Sequence, residues 1–147
     1  MRFTVDAGIV AKWYVAEAHS EDARRLLAHR LERFAPDFLL VEFANTVWKK
    51  ARRGKIADPR PYLGEIPELR EAIDLLPTAD LVERAARLAL EFDHPVHDCL
   101  YFACAEATGS TLITADRAFA DKAAGSTPEV RYIGAPGVAD EIDAAAG

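Results

Sequence analysis

The sequence predicts an α/β fold, with a mainly parallel central sheet covered by helices on both faces: a three-layer α/β/α sandwich. Three observations predict it. Short β-rich runs, Phe3-Thr4-Val5 and Thr111-Leu112-Ile113-Thr114 among them, alternate with longer segments of helical period, the pattern of strands joined by crossover helices. The chain has 147 residues, a length at which one hydrophobic core forms and two hardly fit. Half of it is apolar (50%) and 29% is charged, which excludes intrinsic disorder. One domain over residues 1–134 is expected, followed by a tail over residues 135–147.

Taken in order, Phe3 to Val5 reads as a buried strand and Ile9 to Ala16 as a helix. Ser20 to Arg33 reads as a longer helix: Ser20-Glu21-Asp22 is a start signal, and Ala23, Leu26, Leu27 and Leu31 fall on one side. Phe34 to Leu39 holds a short strand or a loop around Pro36. Val41 to Arg53 is a helix with Phe43, Ala44, Val47, Trp48 and Ala51 on its apolar face. A helical region from Asp58-Pro59 is broken by Pro61, Gly64 and Pro67. Ala72 to Leu76 reads as a strand ended by Pro77. Thr78 or Asp80 then caps a helix with Leu81, Val82, Ala85, Leu88 and Ala89 inside. Pro95 ends that pattern, and Asp98 to Thr108 is an almost wholly apolar helix closed by Gly109. Thr111 to Thr114 is a strand, Arg117 to Ala124 a short helix and Val130 to Ile133 the last strand. The Ala-rich end, Asp140 to Gly147, reads as frayed.

Lys plus Arg is 18 and Asp plus Glu is 24, a formal charge of −6. A duplex-binding protein would carry the opposite balance, whereas a nucleic-acid enzyme whose positive charge comes from metal ions fits. Cys99 and Cys104 lie five apart on one helix, about 140° of rotation, so their side chains diverge and no disulfide is expected. Asp6 interrupts any leader-like apolar run, and no stretch approaches the ~20 apolar residues of a membrane span. A cytoplasmic setting is expected.

In a parallel sheet, ligands bind outside the carboxyl ends of the strands. Asp6 follows the first strand, Asp116 follows the strand Thr111–Thr114, and Asp98 opens the most apolar helix. Glu42 interrupts the run Phe38 to Ala44. Each acid has an ordinary explanation. The three Asp stand at helix starts, where a carboxylate caps free N–H groups, and Glu42, Asn45, Thr46 and Lys49 share a helical spacing that suits a solvated face. Their coincidence argues otherwise. Strand-to-helix junctions of a parallel sheet lie at one end, so the acids converge, and converging carboxylates repel unless a cation joins them. Mg²⁺ or Mn²⁺ takes such oxygen ligands.

Those residues carry a resemblance. Val5-Asp6-Ala7, Val41-Glu42-Phe43-Ala44-Asn45, His97-Asp98-Cys99-Leu100-Tyr101-Phe102-Ala103 and Leu112-Ile113-Thr114-Ala115-Asp116 resemble the PIN-domain ribonucleases, most closely the VapC-type toxin branch, from Arg2 to about Gly134. The resemblance implies a helix-covered parallel sheet and a quartet, Asp6, Glu42, Asp98 and Asp116, binding Mg²⁺ or Mn²⁺ for endonucleolytic cleavage of single-stranded RNA. It also implies a cognate antitoxin partner and a homodimer. Asn45 maps one helical turn after the Glu, and Thr114 to the hydroxyl beside the last acid; both join the expected catalytic set. Gly8 departs from the pattern, since many relatives carry Ser two residues after the first Asp.

Lys49, Lys50, Arg52, Arg53 and Lys55 form the densest basic run, a candidate for RNA phosphates or simply a helix end favoured by its dipole. Lys12 and Arg117 are further candidates. Trp13, Tyr14 and Trp48 could stack on bases or meet a partner, with core packing the expected place for Trp48. His97-Asp98 also suits an all-helical metal phosphohydrolase, but the strands oppose that. A receiver-like signalling domain lacks its second acid beside Asp6. A housekeeping RNA-processing nuclease and a non-catalytic interaction module of the same fold remain as alternatives.

Overall fold

The computed structural model describes residues 1–147. Five strands form one sheet: β1 (Arg2–Val5), β2 (Glu32–Pro36), β3 (Asp74–Leu76), β4 (Thr111–Thr114) and β5 (Val130–Tyr132). Their spatial order is β3-β2-β1-β4-β5, and all four pairings are parallel. The chain walks outward from β1 to β3, then returns to the other side of β1 for β4 and β5. Right-handed crossovers taken in opposite directions put their helices on opposite faces. One layer holds α1 (Ala7–Tyr14), α2 (Ser20–Arg24), α3 (Leu39–Arg52), α4 (Arg60–Leu63) and α5 (Ile66–Ala72). The other holds α6 (Thr78–Phe92), α7 (Val96–Thr108) and α8 (Arg117–Lys122). The three-layer α/β/α sandwich and its parallel sheet are as the sequence predicts. No helix is long and apolar enough to cross a membrane.

The sheet interior explains its runs of apolar residues. Val5, Ala35 and Leu112 are fully buried, and Phe3 and Ile113 nearly so, because both faces are covered. Helix α7 lies across β1, β2 and β4, which is why Cys99 to Ala105 are all buried without amphipathic alternation. Gly109 closes it at φ 62°, the left-handed conformation expected of that cap.

Several expectations are corrected. The helix read over Ser20 to Arg33 stops at Arg24; a 3-10 turn, Arg25–Leu27, follows, and Glu32 already pairs in β2. Carbonyls that a longer helix would occupy take tertiary donors instead. The Trp13 indole donates to Ala23 O (2.8 Å), and the Arg33 guanidinium donates to Leu26 O and Ala28 O (both 3.0 Å). Neither Thr78 nor Asp80 caps α6. Asp37, at the end of β2, supplies that cap from a distance, accepting from Thr78 N (3.0 Å) and from the Thr78 hydroxyl (2.6 Å). Trp48 and Val82, expected inside, are exposed. The frayed end is instead a helix, α9 (Val138–Ala146), with Val138 and Ile142 in the core and Arg25 paired to Asp143.

Candidate active site

The chain reverses direction between β1 and β4, and there a crevice opens beyond the strand ends. A pocket of about 570 Å³ occupies it, lined by Asp6, Glu42, Asp98 and Asp116 together with Ala7, Gly8, Tyr101, Ala115, Arg117 and Ala118. Asp6 arrives from β1, Asp116 from β4, Glu42 from α3 in one layer and Asp98 from α7 in the other.

Each acid is held differently. Asp6 caps α1, with Oδ1 accepting from Ile9 N (2.9 Å). Its Oδ2 accepts from the Thr114 hydroxyl (2.5 Å) and Ala115 N (3.1 Å) on the neighbouring strand. Asp116 caps α8 through Phe119 N (3.1 Å). For these two the capping explanation and the pocket position hold together. Asp98 is no cap: Pro95 precedes α7 and supplies no side-chain cap, and Asp98 sits inside the helix's first turn. Glu42 projects from the first turn of α3, where Tyr101 of α7 donates its phenol proton to Oε1 (2.5 Å). That bond ties the two helical layers together across the sheet edge.

Burial pushes the Asp6 carboxyl above its ordinary range, against the pull of its three hydrogen bonds, and the Asp98 charge adds to the rise. Burial likewise raises Glu42, opposed by the Tyr101 hydrogen bond and by His97, with Asp98 and Asp6 pushing it further up. Burial, then the Glu42 charge, holds the Tyr101 phenol well above its usual range. No Lys or Arg forms an ion pair with any of the four acids. The set is hard oxygen donors under uncompensated negative charge, which suits a small divalent cation.

The other candidates are spread out. Thr114 is buried beneath Asp6, its oxygen also accepting from Asp116 N (2.9 Å). Asn45 lies outside the acidic pocket, in a neighbouring groove of about 420 Å³ with Phe38, Val41, Glu42, Thr46, Lys49 and His97. Lys12 and Lys50 are turned away, both clamped on Glu17 (3.3 and 2.5 Å). Arg52 lies over the exposed Trp48 ring, while Trp13 is buried and Tyr14 packs on Phe43. Arg117 alone of the basic candidates lines the pocket.

Two residues escaped sequence reasoning. Tyr101 gave no signal beyond one polar atom in an apolar helix. His94 Nε2 lies 2.8 Å from Asp98 Oδ2 and 3.4 Å from Asp116 Oδ2; its spacing of four from Asp98 spans Pro95, so it does not read as a helical pair. Gly8 is also explained. A Cβ there would stand 2.7 Å from the Ala115 Cβ, so α1 and the end of β4 approach too closely for a side chain.

A PIN-domain family model matches residues 3–125. The chain belongs to the PIN-domain family. It is 36% identical over 124 residues, 83% of its length and 95% of the relative's, to Ribonuclease VapC3 of Pyrobaculum aerophilum. Among solved structures, the PIN domain resembles PAE2754 of the same organism (TM-score 0.68, 20% identity, 98% of this chain and 90% of that one). It also resembles a chain of a toxin–antitoxin complex from Klebsiella pneumoniae (TM-score 0.56, 16% identity, 88% and 96%). At these identities the two structures speak for the fold.

Proposed function

We propose that this PIN domain is an Mg²⁺- or Mn²⁺-dependent endoribonuclease acting on single-stranded RNA in the cytoplasm, as the toxin of a toxin–antitoxin pair, and that it works as a homodimer. The observation that carries the reading is the crevice between β1 and β4, where four carboxylates line one pocket and no Lys or Arg is ion-paired to any of them. The identity to Ribonuclease VapC3 over most of both chains supports the reaction class. Asp6, Glu42, Asp98 and Asp116 would hold the metal. A divalent cation held there would supply polarisation of a phosphodiester and a lowered pKa for an attacking water.

The protein's own contribution is orientation. Thr114 and two backbone N–H groups fix the Asp6 carboxylate, and Tyr101 fixes Glu42, so neither acid pays a large reorganisation cost on binding. Arg117 at the pocket edge offers a cation to a substrate phosphate. The four acids that line the crevice make it a place that a basic side chain of an antitoxin tail would fill.

The test is cleavage of single-stranded RNA by the purified protein with Mn²⁺ and with chelator, alongside Asp98→Asn. Because Asp98 caps nothing, the variant is expected to keep its melting temperature and to lose activity by at least ~100-fold, the scale of a lost metal contact. Wild-type cleavage by Asp98→Asn in saturating Mn²⁺ would reject the ligand role.

A further inference from the structure

His94 is the buried group that the carboxylate quartet leaves unexplained. Its side chain is 8% exposed and its ring lies flat on Phe119, centroids 4.8 Å apart and planes 22° apart. Nε2 faces Asp98 Oδ2 at 2.8 Å and Asp116 Oδ2 at 3.4 Å. Nδ1 is buried with no hydrogen-bond partner. The backbone holds the ring there: Asp93 turns the end of α6 at φ 50°, His94 N donates to Ala89 O (3.2 Å), and Pro95 follows.

These atoms settle where the ring proton sits. A proton on Nδ1 would be a buried donor with no acceptor, whereas a bare Nδ1 leaves only an unused lone pair. A proton on Nε2 points at two carboxylate oxygens. We propose, resting on the nuclease reading above, that His94 is a positioning residue whose Nε2–H bridges Asp98 and Asp116 as a donor. The ligand-type atoms of His94, Asp98 and Asp116 lie within 4.8 Å of one another, but an Nε2 that carries this proton has no lone pair for a metal. His94 is then a hydrogen-bonded brace on two of the metal-holding acids and not itself a ligand. It completes a pattern in which Thr114 holds Asp6 and Tyr101 holds Glu42. Each donor fixes a carboxylate oxygen in place and leaves the acid's other lone pairs free for a cation.

Two measurements test it. In metal-free, ¹⁵N-labelled full-length protein in mildly alkaline solution, long-range ¹⁵N–¹H correlations of His94 should report a protonated Nε2 and a bare Nδ1. A bare Nε2 overturns the proposal. Mn²⁺ titrations then compare wild type, Asp98→Asn, His94→Gln and His94→Leu, each checked by thermal melting. The Gln amide can place an N–H where Nε2 stood, so it is expected to retain most of the affinity, while Leu loses it by about tenfold or more. Leu binding like wild type, with Asp98→Asn impaired, overturns the brace and leaves the nuclease reading standing. Gln falling as far as Leu overturns it too, because the ring nitrogen is then needed as a ligand. If wild type binds no Mn²⁺, the nuclease reading fails, and the tautomer still decides whether Nε2 is the donor.

Discussion

Gly8 and Ala115 show how one missing side chain sets the crevice. The two residues flank Asp6 from α1 and from the end of β4, and the 2.7 Å between a built Cβ and the Ala115 Cβ leaves no room for even a methyl group. Ser at position 8 would have to push α1 off the strand end and would crowd Asp6 Oδ1, 3.4 Å away. Gly8→Ser is expected to destabilise the protein by about 1–3 kcal/mol, the cost of overpacking a close contact. Adding Ala115→Gly should recover most of that, because it removes the opposing Cβ. Urea denaturation of the two single variants and the double variant measures the coupling. Strict additivity would mean that the two residues do not press on each other.

At the scale of elements, α9 changes the reading of the chain end. Its sequence, rich in Ala and ending in Gly, has too little apolar surface to form a stable helix alone. Val138 and Ile142 nevertheless reach the core, one helical turn apart, and α9 packs on the 3-10 turn that follows α2. Ile142→Ala should cost about 2–5 kcal/mol in urea denaturation, as for other large-to-small core changes. A frayed tail would lose nothing. The same argument explains α2: a helix whose continuation was legible as periodicity stops where Arg33 and Trp13 claim its carbonyls.

For the molecule as a whole, the acidic crevice should make stability depend on pH and metal together. The folded Glu42 carboxyl lies above its ordinary value of 4.5, chiefly because of burial. A raised acid contributes stability that is fully present below the unfolded value and is lost as pH rises through the folded one. Glu42→Gln keeps an acceptor for Tyr101 but carries no charge. In chelator, its melting temperature relative to wild type is therefore expected to climb as pH rises from acidic to neutral. Asp37 and Glu17, both held below the ordinary carboxylate range, act in the opposite sense but are common to both proteins and cancel in the difference. Excess Mn²⁺ should reverse the order by stabilising wild type more. A difference that stays flat with pH would show that burial does not penalise the Glu42 charge.

The sequence by itself determined the layers and one end of the sheet. Alternating strands and helices imply parallel pairing, and parallel pairing sends Asp6 and Asp116 to the same edge, because strand direction alone decides that. Asp98 and Glu42 were legible as charges interrupting apolar runs, since burying a charge without purpose is costly. What only the tertiary structure decided lies between elements distant in sequence. Thr114 donates to Asp6 across 108 positions and Tyr101 to Glu42 across 59. His94 meets Asp116 only because Phe119 of α8 packs on the His94 ring and on Phe92 at the end of α6. Asp37, not Thr78 or Asp80, caps α6. Trp48 is exposed, with Arg52 rather than a core side chain over its ring. Local propensity and period record what a segment can do alone. Which donor satisfies which carboxylate depends on long-range packing, which leaves no periodic trace in the chain.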